Sequence, residues 1–150
     1  MALKTAEEIL AFAIEKEQDA ADFYTDLADK MDSANIKEVF LGFAKEEKGH
    51  KAKLEAVRAG KRMLEAEKEI ADLKIGDHLV DIELDSNLGY QEALIMAMKA
   101  EKAAFKLYTE LASATADAEL KQMLLGLAQE EAKHKLRFEI EYDDFILTEN

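Results

Sequence analysis

The sequence predicts an all-α protein, a four-helix bundle assembled from two similar helical hairpins. Three observations predict it. Apolar residues recur in steps of three and four along four segments, the period of a helix with one buried face. No proline and only six glycines occur in 150 residues, so little interrupts long helices. The chain also repeats itself at a shift of 84 positions without a gap.

The first helix opens at Thr5-Ala6-Glu7-Glu8, a capping-box pattern. Its stripe runs Ile9, Ala13, Glu17, Ala20, Tyr24, Leu27, Met31. The second follows Asp32-Ser33, residues suited to N-caps, with the stripe Ile36, Phe40, Phe43, Glu47, His50, Leu54, Val57. The third starts near Tyr90 and carries Leu94, Ala97, Glu101, Ala104, Tyr108 and Leu111. The fourth follows Asp117 with Leu120, Leu124, Leu127, Glu131, His134 and Phe138. Short links near Asp32 and Ala116 make antiparallel neighbours within each hairpin. A long crossover, about Asp72 to Gly89, joins the second helix to the third. Within it, Lys74-Ile75-Gly76-Asp77-His78-Leu79-Val80 is a candidate to pack across the bundle.

The shift of 84 places Glu17 on Glu101, Tyr24 on Tyr108, Glu47 on Glu131 and His50 on His134. It also aligns Leu41-Gly42-Phe43-Ala44-Lys45-Glu46-Glu47 with Leu125-Gly126-Leu127-Ala128-Gln129-Glu130-Glu131. The expected organisation is one domain over residues 1–150. Its halves, about 5–71 and 89–144, would be related by an approximate twofold axis, and a site on that axis would receive the same groups from each half.

Composition narrows the function classes. Apolar residues make up 49% and charged residues 35%, a balance that folds rather than staying disordered. Cysteine is absent, which removes disulfides, thiolate catalysis and cysteine-held zinc or iron–sulfur centres. A net charge of −13 argues against nucleic acid and anionic membranes, both of which need a basic face. No twenty-residue apolar span occurs. Acids inside the first apolar stretch do not suit a signal peptide, and the cytoplasm is the expected location.

The chemistry lies in polar residues on apolar stripes. Glu17, Glu47, His50, Glu101, Glu131 and His134 all occupy seam positions. Glu47 and His50 are three apart and project from one helix face, as do Glu131 and His134. Burying four carboxylates together without cations would cost many kcal/mol. Two divalent cations balance them, and two imidazoles add neutral nitrogen donors. Each metal would take one histidine and share the bridging glutamates. Hard oxygen donors with limited imidazole favour iron, with manganese possible, over zinc, copper or nickel.

Other recurring residues invite plainer readings. Tyr24 and Tyr108 lie seven residues after Glu17 and Glu101, roughly 10 Å along the axis. Helical side chains lean toward the N-terminus, which would bring both hydroxyls to the site; the alternative is two satisfied core tyrosines. Glu46 and Glu130 turn about 100° off the seam and are expected on a solvated face. His78 reads as an ordinary surface or packing histidine. Gly42 and Gly126 recur mid-helix, and close helix approach is the expected reason.

One glutamate from each of two helices and Glu-x-x-His from the other two make a pattern that resembles the ferritin-like di-metal carboxylate class. More closely, Glu17-x6-Tyr24, Glu46-Glu47-x-x-His50, Glu101-x6-Tyr108 and Glu130-Glu131-x-x-His134 resemble the rubrerythrin family over about Thr5 to Asp144. The terminal Phe138-Glu139-Ile140-Glu141-Tyr142-Asp143-Asp144 is similar to that family's short, single-domain members. The resemblance implies a site of two iron ions that reacts with hydrogen peroxide or dioxygen. Rubrerythrins proper carry a four-cysteine rubredoxin domain, so electrons are expected from an external donor such as a rubredoxin-type protein. They also carry an extra glutamate one turn after the third-helix ligand, where this chain has Ala104.

The resulting expectation is an oxidoreductase that reduces hydrogen peroxide and protects against oxidative stress, acting as a homodimer. One rival is iron handling, in which the site oxidises ferrous iron with dioxygen or peroxide. Another is a metal-binding bundle without turnover.

Overall fold

The structure, a computed structural model, describes residues 5–60 and 89–149. They form four helices: α1 (Ala6–Asp29), α2 (Ala34–Ala59), α3 (Tyr90–Ala114) and α4 (Ala118–Glu149). No strand occurs among the described residues. The crossover predicted over 72–89, with His78, lies outside them except for Gly89, the N-cap of α3.

The helix starts follow from local chemistry. The Thr5 hydroxyl accepts from the Glu8 amide at 3.1 Å, capping α1. Asp117 does the same for α4, its carboxylate accepting from the Leu120 amide at 2.9 Å. Ser33 caps α2 through its backbone carbonyl alone, accepting from Lys37 at 3.0 Å, without a side-chain bond.

α1 packs along α2 and α3 along α4, whereas α1 and α3 approach at few points. Both hairpins are antiparallel. Arg58 near the end of α2 donates to Glu7 at the start of α1 at 2.8 Å. Tyr90 at the start of α3 donates to Glu141 late in α4 at 2.8 Å.

Two apolar clusters flank a polar middle layer. One gathers Ile9, Leu10, Leu54, Leu111, Leu120 and Leu124. The other gathers Leu27, Phe40, Phe43, Leu94 and Phe138, with Phe43 and Phe138 ring centroids 4.2 Å apart. Full burial of each such side chain contributes about 1.5–3 kcal/mol, so the ends of the bundle hold the middle together.

Gly42 and Gly126 correct the expectation of close helix approach. Both are exposed, and a Cβ added at either would meet nothing within 4 Å. Their helices gain no closeness from them. Among the described residues, no helix is long and apolar enough to cross a membrane.

Candidate metal centre

The seam period turns six polar side chains inward at one level. Glu17 comes from α1, Glu47 and His50 from α2, Glu101 from α3, and Glu131 and His134 from α4. All six residues are buried, the carboxylates to within 1% exposure. Candidate donor atoms form two groups, each lying within 4.8 Å: Glu17, Glu47, His50 and Glu131, then Glu47, Glu101, Glu131 and His134. Glu47 and Glu131 belong to both.

The distances favour a cation between the groups over direct bonding. His50 Nδ1 stands 3.5 Å from Glu17, 3.5 Å from Glu47 and 3.4 Å from Glu131. His134 Nδ1 stands 3.4 Å from Glu47, 3.6 Å from Glu101 and 3.7 Å from Glu131. These exceed ordinary hydrogen bonds. Two donors each about 2.1 Å from one ion stand roughly 3.0–3.4 Å apart at angles of about 90–110°, close to what the site shows.

Eight buried side-chain atoms among the described residues lack a hydrogen-bond partner, and all belong to these six residues. Seven are Glu17 Oε2, both Glu47 oxygens, His50 Nδ1, Glu101 Oε2, Glu131 Oε1 and His134 Nδ1. Leaving so many buried polar groups unsatisfied would cost about 1–3 kcal/mol each, more for charges. Two divalent cations would satisfy them and balance four carboxylates. The donor set therefore fits a pair of metal ions.

Electrostatics carry the same message. Burial pushes the Glu47, Glu101 and Glu131 carboxyls well above the usual range, and neighbouring carboxylates push further. At His50 burial pulls downward, but the Glu131 and Glu17 carboxylates outweigh it and raise the imidazole to about 10. Without a cation, Glu47, Glu101, Glu131 and His50 would keep protons to higher pH than exposed groups of their kind.

Both tyrosines reach across the bundle. The Tyr108 hydroxyl on α3 donates to Glu17 Oε1 on α1 at 2.6 Å. The Tyr24 hydroxyl on α1 donates to Glu101 Oε1 on α3. Each bond occupies one carboxylate oxygen and leaves Oε2 facing the site. Burial first, then the adjacent carboxylates, keeps both phenols protonated far above their ordinary range. These paired contacts run α1 and α3 antiparallel and repeat the twofold relation of the sequence.

Glu46 lies on the solvated face, as expected, and also reaches the site. It remains 45% exposed, yet its Oε2 lies 3.2 Å from His134 Nε2, off the line of a hydrogen bond, and 3.2 Å from Arg137 Nη1. The Arg137 guanidinium also covers the Phe43 ring at 4.3 Å. Glu130, its repeat partner, pairs locally with Lys133 at 3.5 Å. Glu46 and Glu130 recur together in sequence, but only the packing of α2 on α4 separates their surroundings.

A cavity of about 230 Å³ opens between α1 and α3 and reaches the carboxylate layer. Ala20 and Ala104, repeat partners midway between glutamate and tyrosine, are half-buried on its walls.

The profile of the rubrerythrin family matches residues 8–78 and 92–150. A hypothetical protein of Pyrococcus furiosus shares 29% identity and a TM-score of 0.64, with 91% of this chain and 87% of that one covered. An uncharacterized conserved protein from Magnetospirillum magnetotacticum shares 26% identity and a TM-score of 0.71, covering 93% and 95%. A Thermotoga maritima protein solved as a candidate ferritin-like diiron-carboxylate protein has the same fold, with 19% identity, a TM-score of 0.74 and 95% and 97% covered. No curated protein matches the chain.

Proposed function

Since the chain belongs to the rubrerythrin family, we propose that it is a di-iron oxidoreductase reducing hydrogen peroxide with electrons from an external donor. The observation that carries this reading is the pair of overlapping donor groups sharing Glu47 and Glu131. Glu17 with His50 and Glu101 with His134 would complete the two positions. Oxygen donors with one imidazole each suit iron or manganese, and the family favours iron. When bound in the reduced state, the pair supplies the two electrons that convert hydrogen peroxide and two protons into two waters.

The protein's own groups set the conditions. Tyr24 and Tyr108 hold the outer oxygens of Glu101 and Glu17, orienting the inner ones. The apolar layers at the two ends keep the carboxylates to within 1% exposure, which strengthens charge interactions among them. A rubredoxin-type donor, a cytoplasmic setting and a homodimer complete the proposal.

Ala104 in place of an extra carboxylate favours a second reading, ferrous iron oxidation. The test loads the protein with iron, reduces it anaerobically and mixes it with equal concentrations of peroxide or dioxygen. Peroxide is expected to react at least about tenfold faster, a barrier difference near 1.4 kcal/mol. Equal rates with ferric mineral accumulating would support iron handling. Two bound metals without reaction would leave a non-turnover metal protein.

A further inference from the structure

The cavity between α1 and α3 is larger than peroxide needs. Its volume is about 230 Å³. One water needs only about 10–15 Å³ of such space, so the cleft has room for a molecule several times the size of peroxide. The floor is the carboxylate layer, including Glu17 and Glu101, each 1% exposed with Oε2 unpartnered. The walls are Phe23, Leu107, Ala20 and Ala104. Lys16 and Asp19 also line it, paired at 3.3 Å with side chains 26% and 57% exposed, so the cavity reaches solvent there.

Its breadth has a cause in the sequence. Along the stripes of α1 and α3, neighbouring positions are buried, whereas Ala20 and Ala104 are half-buried. A methyl cannot span the gap between two helices that approach at few points. A larger side chain at either position would fill it.

Resting on the di-iron reading above, we propose that this cleft admits small organic hydroperoxides, with the –OOH group toward the carboxylate floor and the hydrocarbon body against Phe23, Leu107 and the two alanines. The reaction is ROOH + 2 e⁻ + 2 H⁺ → ROH + H₂O. The O–O bond breaks, the reduced metal pair supplies both electrons, and solvent supplies the protons. An apolar wall above a polar floor suits such a molecule better than it suits a charged one.

The test compares tert-butyl hydroperoxide with hydrogen peroxide as oxidants of the reduced, iron-loaded protein. It uses wild type, Ala20→Leu and Ala104→Leu, both changes to a good helix former. Each variant is expected to hold two metals and to lower the ratio of organic to inorganic peroxide rates at least about tenfold. A second readout uses redox-inert zinc-loaded protein titrated with tert-butanol, the product alcohol, and followed by NMR. Shifts should map to Ala20, Ala104 and Leu107 and disappear in both leucine variants. An unchanged rate ratio in metal-replete variants would overturn the proposal. So would wild type that reacts with hydrogen peroxide but not with tert-butyl hydroperoxide. If neither peroxide reacts, the di-iron peroxidase reading fails, and this proposal with it, even where tert-butanol still binds. Absence of tert-butanol shifts in wild type would count against the cleft itself.

Discussion

The two halves of the site carry the same candidate donors in different surroundings. His134 is the more enclosed, its side chain 2% exposed against 8% for His50. The Phe43 ring meets His134 edge-on at 4.9 Å, and Glu46 with Arg137 closes the outer side. At the repeat-related positions stand Leu127, Glu130 and Lys53. The repeat therefore preserves what points to the axis, while the aromatic ring and the guanidinium behind the candidate donors are present on one side alone. Metal stoichiometry should be symmetric between the halves, and affinity should not be.

The largest expected effect tests the symmetric part. Glu47→Ala and Glu131→Ala each remove a donor shared by both groups. Each should weaken binding of both metals by more than about 100-fold, beyond the usual effect of changing a donor's supporting partner. Metal analysis should then find well under two ions per chain, while circular dichroism retains the helices held by the apolar layers. A Glu47→Ala protein binding two metals at full affinity would break the shared-donor assignment. Outright unfolding would instead tie folding to metal.

The next effect separates metal from proton. In metal-free protein the folded-state carboxyls of Glu47, Glu101 and Glu131 lie above their ordinary 4.5. The folded state then binds more protons than the unfolded state above that pH. That stability is fully present below about 4.5 and is lost as pH rises through the raised values. His50, lifted from 6.5 to about 10, acts in the same direction. Each extra proton corresponds to about 1.4 kcal/mol lost per pH unit. Urea unfolding with a chelator should show stability falling from about pH 5 to about pH 9. Metal uptake displaces those protons, so metal affinity should rise over the same range. A flat metal-free profile would contradict the buried-carboxyl account.

A smaller effect probes the asymmetry directly. Glu46→Ala should weaken one metal position by about tenfold, because it removes the carboxylate beside His134. Glu130→Ala should change affinity less than about twofold, since its carboxylate serves a lysine and no donor. Stepwise metal titration resolves the two positions, and equal effects would place the halves on the same footing. The smallest effect lies outside the site. Gly42→Ala and Gly126→Ala each fill open space on an exposed helix face. Each should stabilise by about 0.5–1 kcal/mol in chemical denaturation.

The periodicity and the repeat were enough to define four helices, their stripes and the six polar residues on them. The reason is local: helical geometry decides which residues share a face, and a buried carboxylate stands out against an apolar stripe. The same logic placed Tyr24 and Tyr108 near the site, because seven residues return to the same face. What escaped it depends on distances between helices. Glu46 lies off its own seam and meets His134 only because α2 packs on α4 in this register. From the sequence, Gly42 and Gly126 suggest a close approach, yet they face open space, since a stripe says nothing of how far away the next helix stands. Ala20 and Ala104 lie on the apolar stripes in sequence, yet they line an opening. A small side chain fills a seam or leaves a gap according to the spacing of α1 and α3, and only the tertiary structure decides that spacing.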